Sequence, residues 1–423
     1  MKMNISTFEN RLAVIGDKIS QQRFLSTIKD AFMISLPFTF IGSISLLLSN
    51  PPIMDDAAPF LLRIREFFVS LSFLNLPYQF MTGIYGLWIA LLVAYFHAKK
   101  FELNTVTSMF ISGVSFLSIS AVPKEGSIPM DGIGSKGIFS AMIVGIACVE
   151  LYKFLLDKNI RIKMPDTVPP MVGASFDSII AFFIALFMII SINQLLLFAV
   201  GMNLTNSIFA IFRPLVSSSD TLAAVIISVL ITRLLWFFGI HGGAVTGAVM
   251  TPFLLSNLVE NQAAYAAGKA LPHVLTQTVF QGSFWGQSFL PAAIVMIFFC
   301  KSDHLKAIGK LGSIPAFCGI GEPINFGTPY ILNFSLMIPG LLQPVLNSSI
   351  AFLCMKYGLI NRVVVDPPLG TPGPIAVFIA SMDWRAVVLW VLLLIVNCLI
   401  LLPFMKAYDK QFNETAEYNH VFL

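Results

Sequence analysis

Charge is what this sequence has least of. Asp, Glu, Lys and Arg make up 11 % of its 423 residues, where a soluble domain carries about a quarter. A soluble chain of this length could bury a large core, but it would still need a charged surface to face water. The residues for that surface are missing. The net charge of +4 is small and spread over short segments, which gives no support to nucleic-acid binding. Five cysteines, an odd number, form no CxxC pair. Cys148, Cys300, Cys354 and Cys398 lie inside apolar runs, where they read as small residues packed in helices. No P-loop, no GxSxG and no His/Cys cluster with metal spacing occurs. No metal and no cofactor is therefore expected, and no ATP-driven pump within this chain. The first apolar run begins near Ala31, behind a hydrophilic segment too long for a secretory signal.

What is abundant is apolar length. Hydrophobic residues form 57 % of the chain, the mean hydropathy is +0.82, and many runs approach the roughly 20 residues that carry a helix across a bilayer. The expected fold class is an all-α polytopic membrane protein with about ten transmembrane helices. The candidate spans are 31–49, 71–96, 105–122, 137–156, 174–200, 221–240, 241–259, 285–300, 329–357 and 385–405. Two segments read instead as amphipathic helices lying on the membrane surface. In the first, Phe8, Leu12, Ile15 and Ile19 share one face; in the second, Phe60, Leu61, Ile64, Phe67 and Phe68 alternate with Arg63, Arg65 and Glu66. No internal repeat, soluble domain, low-complexity tail or long linker is visible. If the N-terminus is placed inside, the segments 1–30, 97–104, 153–170, 301–312 and 406–423 are internal. They hold most of the 26 Lys and Arg residues, so both termini are expected in the cytoplasm.

Two stretches resist reading as simple spans. From Leu311 to Asn333 the chain carries Gly312, Pro315, Gly319, Gly321, Pro323, Gly327 and Pro329. Each breaker frees backbone groups that hydrocarbon cannot satisfy, so a re-entrant hairpin or broken helix facing a wet cavity is expected. The second stretch, Asp366 to Pro374, holds four prolines and two glycines.

Ionisable groups at membrane depth are costly, and each is a functional candidate. Arg233 and His241 flank Trp236-Phe237-Phe238-Gly239-Ile240. If the helix runs on, eight residues bring them to a similar face, about 12 Å apart along the axis. Arg233 can equally snorkel or form a structural ion pair. Gly242 and Gly243 follow His241 and would let a ligand or a backbone approach it. Gly239, Gly243 and Gly247 also make a GxxxGxxxG row, which serves close helix packing. Glu322, in Gly319-Ile320-Gly321-Glu322-Pro323-Ile324-Asn325-Phe326-Gly327, is the only carboxylate between Asp303 and Asp366. On a glycine-bracketed turn it can reach a solute hydroxyl, and partial burial would suit it to general-base duty; a structural pairing with Arg or Lys is the alternative. Asn325 either adds a hydrogen bond to the solute or caps a turn. Lys124, Glu125 and Asp131 read as an ordinary outer loop.

At these residues the sequence resembles the membrane (IIC) component of the bacterial phosphoenolpyruvate-dependent sugar phosphotransferase system, in its lactose/cellobiose (diacetylchitobiose) branch. The resemblance is carried by Phe24-Leu25-Ser26-Thr27-Ile28-Lys29-Asp30-Ala31-Phe32 with Pro37, by Trp236-Phe237-Phe238-Gly239-Ile240-His241-Gly242, by Gly321-Glu322-Pro323-Ile324-Asn325-Phe326-Gly327, and by Asp383-Trp384-Arg385. It implies uptake of a sugar, such as cellobiose, diacetylchitobiose or lactose, coupled to phosphorylation by a phosphocysteine of a separate IIB protein, with IIA upstream. By resemblance Glu322 engages the hydroxyl that becomes phosphorylated, His241 positions the sugar, and Arg233 attracts the incoming phosphoryl group. The resemblance also implies a homodimer in the cytoplasmic membrane. Residues 1–220 would form the N-terminal, dimer-making half, and residues 221–423 the half that holds the sugar. Two departures stand out. Pro368-Leu369-Gly370-Thr371-Pro372-Gly373-Pro374 replaces a Trp-Thr-Thr-Pro-Pro type segment, so a stacking platform for a second sugar ring is missing there. Cys318 and Gly319 precede Ile320 where the family commonly reads Asn-x-x-Glu-Pro, which changes loop shape more than chemistry. The competing reading is a facilitator or ion-coupled carrier that leaves its solute unmodified; a membrane receptor or scaffold is the third.

Overall fold

A computed structural model of the chain describes residues 22–53, 57–123, 126–130, 132–165, 170–280, 289–328, 330 and 333–421. The amphipathic segment around Phe8–Ile19 and the charged loop residues Lys124, Glu125 and Asp131 lie outside them. Among the described residues every regular element is helical. Seven helical stretches are long and apolar enough to cross a membrane, or eight if one broken pair is counted as a span, and two shorter apolar helices accompany them. The chain divides into two compact units, 21–217 with 248–270, and 218–247 with 271–423.

The first unit contains α1 (Arg23–Ser49), α2 (Pro59–Ser70), α3 (Leu76–Met81), α4 (Tyr85–Lys100), α5 (Thr105–Ser120), α6 (Ile138–Asp157), α7 (Pro170–Val200) and α8 (Leu204–Ser219). At its centre α4 packs against α1, α5 and α6. The reason is its small-residue face: Ala90, Val93, Ala94 and Ala98 are fully buried, which lets helix backbones approach where lipid supplies no hydrophobic drive. Helix α2 has no buried residue, and Phe60 and Phe67 are exposed, as a surface-lying amphipathic helix requires. Between the spans 174–200 and 221–240 lies helix α8, entered through Asn193 Oδ1, which accepts from the Leu204 amide at 2.7 Å. Near the basic end of α4, His97 is fully buried, with Nε2 2.9 Å from Glu150 of α6 and Nδ1 3.2 Å from Thr27 of α1.

The second unit holds α9 (Leu222–Phe237), the first turn of α10 (Gly242–Ala266), α11 (Gln277–Phe280), α12 (Phe289–Phe299), α13 (Asp303–Phe317), α14 (Glu322–Gly327), α15 (Phe334–Lys356), α16 (Gly373–Ser381) and α17 (Trp384–Val421). Helix α15 packs on α9 and α17, and α12 on α13 and α17. Asp409 of α17 is buried and accepts from the Lys301 and Ser302 amides at 2.7 and 3.0 Å, so the entry to α13 is fixed by a carboxylate. Asp383-Trp384-Arg385 forms a corner: Asp383 accepts from the Arg385 guanidinium at 2.8 Å and from the Asn361 amide at 3.0 Å.

Candidate functional site

The chain breaks between the two expected spans 221–240 and 241–259, so Arg233 and His241 do not share one helix. Helix α9 ends at Phe237, and Gly239 takes φ +78°, a left-handed conformation that glycine adopts without a Cβ penalty. Its amide donates to Trp236 O at 3.0 Å, and the Ile240 amide to Leu235 O at 2.9 Å. These paired bonds are a Schellman closure that satisfies the last carbonyls of α9. His241 then starts α10. Its Nδ1 accepts from the Ala244 amide at 3.0 Å, the capping bond normally supplied by a Ser or Asp side chain. With Nδ1 occupied as an acceptor, the neutral ring carries its proton on Nε2, and the side chain is exposed. The imidazole thus presents a donor, with its ring 4.5 Å from that of Trp236. Gly242 is required by packing, since a Cβ there would lie 2.0 Å from Thr232 O.

The breaker-rich stretch folds as a broken helix. Helix α13 stops at Phe317, Gly319 turns with φ +82°, and the six-residue α14 begins at Glu322 with Pro323 in its first turn. Proline is tolerated there because the first-turn amides have no intrahelical partner. Helix therefore resumes at Glu322 rather than ending there. The carboxylate is exposed, so the partial burial expected of it is absent. Gly321 packs so closely on Phe289 that a Cβ would fall 1.9 Å from the ring. On that ring sits the Arg233 guanidinium, 5.6 Å from its centroid, within cation–π range. The charge on Glu322 acts on Arg233. Residues far apart in sequence thereby meet: α9 brings the cation, α12 the aromatic plate, and the start of α14 the carboxylate.

Between these elements lies a cavity of about 40 Å³, lined by Arg233, Trp236, Phe289, Asn325, Tyr330 and Gln343, among others. That is room for a few waters and not for a disaccharide, so a sugar must dock at its rim or widen it. Asn325 is 6 % exposed and its Nδ2 has no hydrogen-bond partner. A buried donor left unmade costs about 1–3 kcal/mol, which makes it a natural place for a ligand oxygen. Arg233 and Asn325 line the cavity, Glu322 adjoins it through Arg233, and His241 stands against Trp236 on one wall. Phe289, Tyr330 and Gln343 were not singled out by sequence. Phe289 reads there as one more apolar residue of a span, and the only hint for Tyr330 was its place after Pro329.

Seven or eight helices long and apolar enough to cross a membrane, with a broken helix that sets one carboxylate near a small cavity, define a multi-pass α-helical membrane protein. The match to known proteins gives the family: the model described as "Phosphotransferase system, EIIC" covers residues 29–344, and the chain belongs to that family. Similar curated proteins include the oligo-beta-mannoside-specific EIIC component of Bacillus subtilis (strain 168), 31 % identical over 94 % of this chain and 92 % of that protein. Another is the cellobiose-specific EIIC component of Geobacillus stearothermophilus, also 31 % identical, over 96 % of this chain and 94 % of that one. The crystal structure of the transporter ChbC, the IIC component from the N,N'-diacetylchitobiose-specific phosphotransferase system, superimposes with a TM-score of 0.85 at 30 % identity. It covers 94 % of this chain and 96 % of that chain. These matches give no support to a carrier that leaves its solute unmodified.

Proposed function

We propose that this chain takes up a β-linked disaccharide, of the kind named for its relatives, across the bacterial cytoplasmic membrane, and that the sugar is phosphorylated while held at the Glu322 site. A separate IIB protein, charged through IIA, supplies the phosphoryl group. The sugar hydroxyl donates a hydrogen bond to the Glu322 carboxylate. As its oxygen attacks phosphorus, an O–P bond forms, the S–P bond to the IIB cysteine breaks, and the cysteine leaves as thiolate. The hydroxyl proton passes to Glu322. Arg233, held on Phe289, offsets the negative charge of the transferring group. His241 Nε2–H and Asn325 Nδ2 donate to other sugar hydroxyls. Gly242 serves by keeping α9 and α10 close enough for His241 to stand beside Trp236. In this reading residues 1–220 form a homodimer interface, lipid surrounds the spans, and both termini face the cytoplasm.

The observation that carries the reading is the placement of one exposed carboxylate at the head of α14, directly after Gly321, which packs on the same Phe289 ring that carries the Arg233 guanidinium. Glu322→Gln keeps shape and hydrogen bonding and removes the base. Sugar binding to the purified variant should weaken severalfold at most, while IIB-dependent phosphorylation falls by about two orders of magnitude. His241→Ala should weaken binding first. Equilibrium binding and phosphorylation measured on the same preparations separate the two, and Glu322→Gln turning over at the parent rate would refute the general-base role.

A further inference from the structure

The stretch from Leu271 to Phe280 has one short helix, α11, yet charged side chains distant in sequence hold it at three points. Arg362 Nη1 donates to Leu271 O. Asp220 accepts from the Val274 and Leu275 amides at 3.1 and 2.6 Å, with His273 Nδ1 3.4 Å away. Asp366 Oδ1 accepts from both the Thr278 amide, at 3.0 Å, and the Thr278 hydroxyl. The third pin is the costly one. Burial pushes the Asp366 carboxyl up to about 6, against the Thr278 hydroxyl and the Thr278 and Gln277 amides that favour its ionised form. Its other oxygen has no partner, and neither has Thr276 Oγ1 or Gln277 Oε1. A carboxylate kept under those conditions does something an apolar side chain cannot.

What it grips is α11, and α11 packs on α9 and α15. Those two helices supply Arg233, Trp236 and Phe237 on one wall of the cavity and Leu336 to Gln343 on the other. We propose that Asp366 is a positioning residue of the sugar site: by holding Thr278 it seats α11 against α9 and α15 and fixes the spacing of the cavity walls. This rests on the site reading given above. Asp366 touches no sugar; it acts through the short helix. Small displacements of supporting groups suffice to spoil a site whose polar contacts must be placed to within about an ångström.

The test uses the full-length protein purified in detergent, with cellobiose as probe and hydrogen exchange of the peptide spanning 271–280 as a local readout. Asp366→Ala should speed exchange at 277–280 and weaken cellobiose affinity about tenfold or more, while the number of binding sites stays near the parent value. Asp366→Asn, which keeps an oxygen acceptor, should restore most of the affinity. Thr278→Val, which removes only the hydroxyl donor, should give a smaller loss of the same kind and stands in if Asp366→Ala does not fold. A merely structural aspartate would lower the number of sites without moving affinity. Faster exchange at 277–280 with unchanged affinity overturns the proposal. Its failure is distinct from that of the residue roles: if Glu322→Gln and His241→Ala behave as the parent while Asp366→Ala loses affinity, the roles of Glu322 and His241 fall and the seating of the cavity walls by Asp366 stands.

Discussion

Replacing Gly321 with alanine asks whether the contact between the broken helix and its aromatic support sets the chemistry. Gly321 has φ −95° and ψ −10°, a backbone that any residue adopts, so the whole cost is steric. The added methyl carbon would lie 1.9, 2.2 and 2.5 Å from three atoms of the Phe289 ring, where ordinary contact begins at 3.4 Å. The ring or the turn must therefore yield by about 1.5 Å, the difference between 3.4 and 1.9 Å. Overpacking of that size costs about 1–3 kcal/mol. Phe289 also carries the Arg233 guanidinium, and Glu322 is the next residue in the chain, so base and cation are displaced together. Misplacement by an ångström can cost about a hundredfold in rate. The assay is IIB-dependent phosphorylation of cellobiose, with binding measured in parallel. Gly321→Ala should lose about one to two orders of magnitude in phosphorylation rate and less in affinity. Gly321→Ala with Phe289→Leu, which withdraws part of the obstructing ring, should recover part of the loss. A single variant that phosphorylates at the parent rate would show that the Phe289 contact has no bearing on Glu322.

Asp220 yields a pH prediction. Burial raises its carboxyl, but the hydrogen bond from His273 and those from the Leu275 and Val274 amides outweigh this and hold it below the usual carboxylate value. A depressed folded-state value means stability present above the unfolded value of about 3.9, lost as pH falls through the folded value. Asp220→Asn should lower the Tm at neutral pH, by an amount equivalent to about 1–3 kcal/mol for charge-assisted bonds, and the gap to the parent should close below about pH 4. A gap constant from pH 7 to 3 would contradict it. For topology, cysteines introduced near Lys18 and Lys410 should resist an impermeant thiol reagent in intact cells. Dimers should be trapped by cross-links within residues 1–220, and trapping only through residues after about 285 would count against that interface.

The helical class was readable because it depends on composition: apolar length fixes where helices cross, and no partner is needed to see it. The break around Glu322 was readable for a related reason, since glycine and proline act locally on the backbone. The boundary between 240 and 241 is also legible in the spans, but its geometry is not: the Schellman closure at Gly239 and the cap from His241 are formed by backbone amides that no residue pattern names. Helix α8 is not among the expected spans, and Pro214 inside it is tolerated as proline is inside other helices of this chain. The fastening roles of Asp220 and Asp366 are not legible in the sequence because each takes its meaning from amides about 54 to 88 positions away, and no spacing rule reaches that far.

The pinning of 271–280 also sets an order on the making of the protein. Thr278 leaves the ribosome 88 residues before Asp366, and Leu271 leaves it 91 residues before Arg362. At about 5–20 residues per second that is a wait on the order of ten seconds. During it, of the three side-chain pins on the segment, the one from Asp220 is already synthesised and the other two are not. The early helices can be inserted and packed while this stretch is still open. A nascent chain halted after α15 would carry Glu322, His241 and Arg233 and still lack Arg362 and Asp366, the two residues that complete the fastening of the stretch.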